Sequence, residues 1–209
     1  MRIGIVCAMQ KEYDLLKEWL HEGGDVLCEL SGIGKVNAAM SAEHLISGFA
    51  PDCVLSIGCA GTFAEGVEEG DTIIVSRSAY HDVWCGDRYA AGQVAGQPLF
   101  FDSDPELLAR ARESLPEAKV GLLCTGDQFY ISEEEDMRQK SLFPDALAVD
   151  MEGAAVAQVS RAHGIPFLAV KVISDNHLYG HQRERYDNFW NGLAEKSFVS
   201  VREILKKLR

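Results

Sequence analysis

Ala146-Leu147-Ala148-Val149-Asp150-Met151-Glu152-Gly153-Ala154-Ala155-Val156, continued by Pro166-Phe167-Leu168-Ala169-Val170-Lys171-Val172-Ile173-Ser174-Asp175, decides the reading of the fold. An apolar run ends in acids, an amphipathic segment from Met151 to His163 follows, Gly164-Ile165-Pro166 breaks it, and a second apolar run ends in Asp175. This is a strand–helix–strand unit, and its spacing predicts two parallel strands in an α/β sheet. Ligands of open α/β sheets bind beyond the carboxyl ends of the strands, where loops converge. Glu152 and Asp175 stand at those ends. Carboxyl groups just beyond buried strands lose hydration, which disfavours the charged form and suits them to proton transfer. The same spacing accommodates a plainer reading, in which Asp150 or Glu152 starts a helix and complements its N-terminal dipole.

Outward from this unit, the bulk numbers bound the possibilities. A chain of 209 residues, 47% of them hydrophobic, buries roughly 70% of the surface its unfolded form exposes. No internal repeat, low-complexity run or linker interrupts it, so one domain over residues 1–209 is expected. A net charge of −12 argues against nucleic acid or an anionic membrane as a partner. No stretch reaches the length of a membrane span, and Lys11 and Glu12 interrupt the first apolar run before a signal-peptide pattern can form. A cytoplasmic enzyme is expected. Cys7, Cys28, Cys53, Cys59, Cys85 and Cys124 include no Cys-x-x-Cys pair, and four of them lie in apolar, strand-like runs, which predicts reduced thiols. His177 and His181 have helical spacing, but Tyr179-Gly180 between them argues against a helix there. No metal site and no cofactor are expected.

In chain order, Arg2 to Ala8 reads as a buried strand. Gln10 to Glu22 reads as a helix with Tyr13, Leu15, Leu16, Trp19 and Leu20 on its apolar side, ended by Gly23-Gly24. Glu12 falls in its first turn, where position alone implies only dipole complementation. Val26 to Leu30 leads into Ser31-Gly32-Ile33-Gly34-Lys35, a Gly-x-Gly turn before a helix. It lacks both the third glycine of a dinucleotide fingerprint and the Gly-Lys-Ser/Thr of a P-loop. Cys53 to Gly58 is a strand ending in the turn Gly58-Cys59-Ala60-Gly61-Thr62, whose small residues let a ligand approach the backbone. Asp71 to Ser76 and Ala79 to Val83 read as further strands, and Trp84 to Pro98 as a long irregular loop. Pro105 to Ser114 is a helix and Lys119 to Thr125 a strand, followed by Gly126-Asp127-Gln128-Phe129-Tyr130-Ile131. Ser132-Glu133-Glu134-Glu135 has the form of a capping box. Asn176 to Arg185 reads as a polar loop, and Tyr186 to Leu208 as one final helix carrying Phe189, Trp190, Leu193, Phe198, Val201 and Leu205 inward.

Taken together, Ala8-Met9 with Glu12, the Ser-Gly-Ile-Gly-Lys segment, the Gly58 turn, Gly-Asp-x-Phe, Met151-Glu152 and Ile173-Ser174-Asp175 resemble the 5′-methylthioadenosine/S-adenosylhomocysteine nucleosidases. These belong to the nucleoside phosphorylase family, and the likeness runs from Arg2 to the last helix. The resemblance implies a single α/β domain with a mixed, mostly parallel sheet covered by helices. It also implies hydrolysis of the N-glycosidic bond of 5′-modified adenosines (5′-methylthioadenosine, S-adenosylhomocysteine, 5′-deoxyadenosine) with release of adenine. Asp175 would protonate N7 of the base, Glu152 would bind the 2′-hydroxyl with Met151 against the sugar, and Glu12 would activate water. Phe129 would stack on the purine while the backbone of Tyr130 reads its Watson–Crick edge. Ala8, Met9, Ile33, Cys59, Ala60, Gly61, Asp150 and Ser174 would line the pocket, with Tyr186 capping it. Lys171 has no role in this reading.

The family's turn is usually Gly-Ser-Ala-Gly-Gly, so Cys59 and Thr62 depart from it; a thiol at Cys59 keeps the size of a serine but weakens its hydrogen bond. Family members are homodimers in which the loop matching Trp84 to Pro98 reaches the neighbouring pocket, and Asp87 and Ala95 depart there, leaving the 5′ group open. A purine nucleoside phosphorylase is one alternative, but its phosphate-binding arginines are replaced by Glu12 and Ser56, and a carboxylate would repel the dianion. A nucleosidase for a bulkier substituent, of the aminodeoxyfutalosine type, is another. A silent nucleoside-binding protein is a third, against which stands the trio Glu12, Glu152 and Asp175.

Overall fold

In a computed structural model, which describes residues 1–20, 25–129 and 133–209, the first strand, β1 (Ile3–Cys7), is buried throughout. Parallel partners enclose it on both sides, β2 (Val26–Leu30) and β3 (Cys53–Thr62). β3 outruns β1, pairing with it only from Cys53 to Ser56, so its distal half has a free edge. Gly58 to Thr62 is therefore strand, not the turn its small residues suggested. Along its other edge β3 pairs in parallel with β8 (Phe167–Asn176), buried at all ten residues. β8 runs antiparallel to β4 (Thr72–Tyr80), β4 parallel to β6 (Lys119–Thr125), and β6 parallel to β7 (Ala146–Asp150). β7 returns to the free edge of β3 through the antiparallel pair Gly61–Val149. Five strands thus close a ring, with β1 and β2 as a wing and the short β5 (Phe101–Asp102) on the edge of β4. Five of the eight pairings among the described residues are parallel, so the sheet is mixed and mostly parallel.

This ring corrects one expectation. β7 and β8 are neither neighbours nor parallel: β7 opposes β3, whereas β8 follows it. Their carboxyl ends meet nonetheless, because Gly61 of β3 pairs with Val149 on one edge and Asp175 on the other. A register shift between Ala60 and Gly61 marks the irregularity. β4 is one strand rather than two, with a register shift between Val75 and Arg77.

Helices cover both faces. α1 (Gln10–Leu20), α3 (Pro105–Ser114) and α7 (Ala194–Leu208) bury Leu16, Leu107, Phe198 and Leu205 against one side. α2 (Lys35–Phe49) and α5 (Gly153–His163) bury Ala38, Ala42, Leu45, Ala154 and Val156 against the other. α4 (Glu133–Leu142) lies between β6 and β7 in the chain. The anticipated end of α1 at Gly23-Gly24 and the capping box at Ser132 lie outside the described residues. The segment after Asp175 differs from the expected loop. Asn176 Oδ1 accepts from the Leu178 backbone N–H, capping a 3₁₀ turn at His177–Tyr179, and α6 (Gln182–Gly192) follows. The chain then bends at Leu193, so Phe189 and Phe198 reach the same core from two helices. The polar residues there cap turns instead of solvating a loop.

Candidate active site

The amino end of α5 shows how a carboxyl group is freed for chemistry. Asp150, not Glu152, serves the helix: Asp150 Oδ2 accepts from the Gly153 N–H at 2.9 Å, and Thr125 Oγ1 accepts from the Ala154 N–H while donating to Asp150 Oδ1 at 2.6 Å. With those N–H groups satisfied, Glu152 makes no side-chain cap and reaches across to accept from the Gly34 N–H at 2.8 Å. Gly34 sits at φ 102°, a conformation open to glycine. Burial pushes the Glu152 carboxyl up to about 7, reinforced by the nearby Asp150 carboxylate. Asp150 borders the cavity, as expected, while its two oxygens also accept from Thr125 Oγ1 and the Gly153 N–H.

Glu12 combines the two readings that its position allows. Its Oε2 accepts from the Ala8 and Met9 N–H groups at 3.0 and 2.9 Å, as a first-turn acid does, and its Oε1 accepts from the Cys59 N–H at 2.7 Å. A Cβ on Gly58 would come within 2.6 Å of that oxygen, which explains the glycine. Burial raises the Glu12 pKa, opposed by these hydrogen bonds and by Lys171.

Lys171 is the group that sequence reasoning missed. On β8 and 3% exposed in its side chain, it forms an ion pair with Asp150 at 2.9 Å and donates to Ser56 Oγ at 3.1 Å. Burial alone would depress its pKa, but Asp150, Glu152 and Glu12 outweigh it and hold Lys171 above the ordinary lysine range. A lysine in an apolar run was the available signal, since a buried lysine demands a carboxylate partner.

At the other strand end, Ser174 Oγ donates to Asp175 Oδ1 at 2.6 Å. Asp175 Oδ2 is buried and has no hydrogen-bond partner among the described residues. His177 Nε2 lies 3.2 Å away, at ion-pair distance but without hydrogen-bond geometry. Its other ring nitrogen, Nδ1, meets Asp136 Oδ1 at 2.7 Å. Burial works against the charged imidazole, yet Asp136 and Asp175 outweigh it and push its pKa up to about 9.

The carboxyl groups of Glu12, Asp150, Glu152 and Asp175 and the imidazole of His177 border one cleft, about 770 Å³ including the open space at its mouth. Ala8, Met9, Glu12, Ile33, Cys59, Ala60, Gly61, Phe129, Asp150, Met151, Glu152, Ser174, Asp175 and Tyr186 all line it; Tyr130 lies outside the described residues. His81, Gln128, Gln139, Val149 and His177 also line it, and the sequence reading assigned none of them to the pocket. Phe129 and Tyr186 meet edge to face at 5.6 Å, and the Tyr186 hydroxyl reaches Met9 Sδ at 3.2 Å, so aromatics from two elements frame the mouth. Cys59 is a free thiol held neutral by burial and by Glu12. Among the described residues no cluster of three or more His, Cys, Asp or Glu is placed to hold a metal, and no helix is long and apolar enough to cross a membrane.

Known proteins share this architecture. The phosphorylase superfamily model matches residues 2–206. The 5′-methylthioadenosine/S-adenosylhomocysteine nucleosidase of Aeromonas salmonicida is 36% identical over the whole of both chains. The Streptococcus pneumoniae enzyme of that name, solved with the transition-state inhibitor MT-ImmA, superposes with a TM-score of 0.91 at 36% identity, covering 100% of each chain. Futalosine hydrolase of Helicobacter pylori also superposes at 0.91, with 26% identity over 99% of this chain and 98% of its own. With a family model spanning nearly the whole sequence and full-length relatives above 30% identity, the chain belongs to the 5′-methylthioadenosine/S-adenosylhomocysteine nucleosidase family of the phosphorylase superfamily.

Proposed function

We propose that the protein hydrolyses the N-glycosidic bond of 5′-modified adenosines, with 5′-methylthioadenosine, S-adenosylhomocysteine and 5′-deoxyadenosine as substrates and adenine as the common product. The observation that carries this reading is the buried Oδ2 of Asp175, which accepts no hydrogen bond among the described residues, in a cleft that it shares with Glu12 and Glu152. Binding alone needs no such group; an oxygen poised to exchange a proton with a base nitrogen does. The base stacks against Phe129, and Asp175 delivers a proton to N7. The C1′–N9 bond pair then passes to the purine ring, and the sugar becomes cationic. Glu152, held by the Gly34 N–H, accepts from the 2′-hydroxyl and stabilises that charge, with Met151 packed on the sugar. Glu12 takes a proton from the water that attacks C1′. Asp150 and Lys171 sit behind these groups, one anchoring α5 and the other offsetting the negative charge of Glu12 and Glu152.

Water rather than phosphate is the acceptor in this reading. No arginine lines the cleft among the described residues, and Lys171 is already paired with Asp150. In phosphate-free buffer, 5′-methylthioadenosine is expected to yield adenine and free sugar. Strict dependence on phosphate, with a sugar 1-phosphate as product, would overturn the reading. The likeness to a futalosine hydrolase gives a second reading, hydrolysis of an aminodeoxyfutalosine-type substrate; including that class in the same assay separates the two by kcat/KM.

The working form is a homodimer with pockets near the interface. Val36 and Met40, 70% and 67% exposed, are i,i+4 neighbours on α2, and Ile33 at its start lines the cleft; Trp84 adds an exposed indole from the long loop. Sedimentation at micromolar concentration is expected to give twice the monomer mass, and Met40→Glu to shift it towards monomer with loss of activity. A fully active wild-type monomer would contradict this. The acidic chain and its free cysteines support a cytoplasmic location.

A further inference from the structure

Behind the proposed acid stands a second polar pair that a bare hydrolytic mechanism does not require. His177 enters the cleft from the 3₁₀ turn after β8, and its ring is held from α4 by Asp136, whose second oxygen accepts from Gln182 Nε2 of α6 at 3.0 Å. The charged groups facing the imidazole among the described residues are Asp136 on α4 and Asp175 on β8; α6 contributes the neutral Gln182, and β3 contributes Gly61. A Cβ on Gly61 would lie 2.7 Å from His177 Nε2 and 3.2 Å from Asp175 Oδ2. The glycine that joins the two strand ends therefore also leaves the space in which imidazole and carboxyl meet.

We infer that His177, oriented by Asp136, is a positioning residue that acts through Asp175 as the store of the proton delivered to N7. This rests on the proposed hydrolytic reading. An Asp136 carboxylate on Nδ1 holds the ring with its Nε2 3.2 Å from Asp175 Oδ2. At rest the pair holds one transferable proton, on the imidazole, with Asp175 the carboxylate beside it; the proton passes from Nε2 through Asp175 to N7. The purine gains the proton, the carboxyl returns to its starting state, and the imidazole is left neutral until solvent protonates it. The attacking water supplies hydroxyl to C1′ and a proton to Glu12, which exchanges it with solvent, so the cycle adds one water overall. With the Asp136 and Asp175 carboxylates pushing the imidazole pKa up to about 9, the pair holds a transferable proton well above neutrality.

Two measurements test this, one of them independent of substrate. In an NMR titration of the wild-type protein, the His177 ring is expected to titrate near pH 9, and Asp136→Asn to move it down towards the ordinary value of about 6.5. A ring titrating below pH 7 in the wild type overturns the inference whatever the substrate is. The second measurement is the dependence of kcat on pH for 5′-methylthioadenosine hydrolysis. The alkaline limb should fall to lower pH in His177→Gln, a change that retains a donor for Asp136, and less far in Asp136→Asn. At pH 8.5 the His177→Gln rate should drop about tenfold or more relative to its own rate at pH 6, as loss of one required proton gives roughly tenfold per pH unit. Profiles that are scaled down but parallel to the wild type show a merely structural histidine and overturn the inference. Failure of the wild-type protein to hydrolyse any nucleoside removes the hydrolytic reading instead, and with it the inference.

Discussion

Asp175→Asn is expected to lower kcat by roughly 10²–10⁴-fold, the usual loss when a general acid is removed, while adenine and its nucleosides still bind. The amide keeps the shape of the carboxyl and can receive the Ser174 hydroxyl that now donates to Oδ1 at 2.6 Å. It can also approach N7, but it has no proton to give. In the proposed mechanism binding is held elsewhere in the cleft, by Phe129 at the mouth and by Met151 and Glu152 on the sugar side. The discriminating measurement is therefore a pair: single-turnover release of adenine, and the affinity of a non-hydrolysable adenosine analogue by calorimetry. If Asp175 were only a strand-end acid, a folded Asp175→Asn protein would turn over at close to the wild-type rate. That result would end the mechanism. Loss of binding and turnover in equal measure would assign Asp175 to ground-state binding alone.

Lys171→Met should cost about 3–5 kcal/mol of folding stability near pH 8, the range seen when one partner of a buried ion pair is removed. The thioether fills much of the same space, so a cavity is not the main cost. The cost is the charge left behind: Asp150 loses its 2.9 Å partner, and Glu152 and Glu12 lose the cation that offsets them. The sign with pH follows. Without the cation, protonation of the buried carboxyl groups relieves the repulsion, so their folded-state affinity for protons rises. A carboxyl group whose folded pKa is raised contributes stability that is present at low pH and lost as pH climbs through that pKa. Glu152 already stands at about 7 in the intact protein. The deficit of Lys171→Met should therefore be smaller at pH 5 than at pH 8, and urea unfolding at both values measures it. A variant within about 1 kcal/mol of the wild type at pH 8 would show that the pair is energetically neutral there. Lys171→Arg, which keeps the charge, should lose less stability than Lys171→Met.

Much of the local structure was legible in the chain itself. β1, β2, α3, β6, β7 and α5 announce themselves through runs and periods of apolar residues bounded by breakers, because burial of one face is a local, repeating demand. Asp104 before Pro105 caps α3, its carboxylate accepting from the Glu106 and Leu107 N–H groups at 3.0 Å, and that too is written in adjacent residues. The acids at the strand ends could be named in the same way, and the family motifs supplied their expected roles.

What the sequence could not determine was which edges pair and where the side chains at those edges turn. The strand–helix–strand pattern read as parallel, yet β7 and β8 run in opposite directions and meet only through Gly61. The free edge that receives β7 exists because β1 stops short of the end of β3, a relation between segments some fifty residues apart. The partners of Lys171 come from β3, β7 and the starts of α1 and α5. Which of Asp150 and Glu152, two residues apart, starts the helix was open in the sequence, and Thr125 and Gly34 decide it in favour of Asp150. His177 looked like part of a polar loop until Asp136, 41 residues earlier, fixed its ring. Local pattern reports what must be buried. The partner of a buried charge is a long-range choice, since the cost of leaving it unpaired is met by whatever the fold brings near.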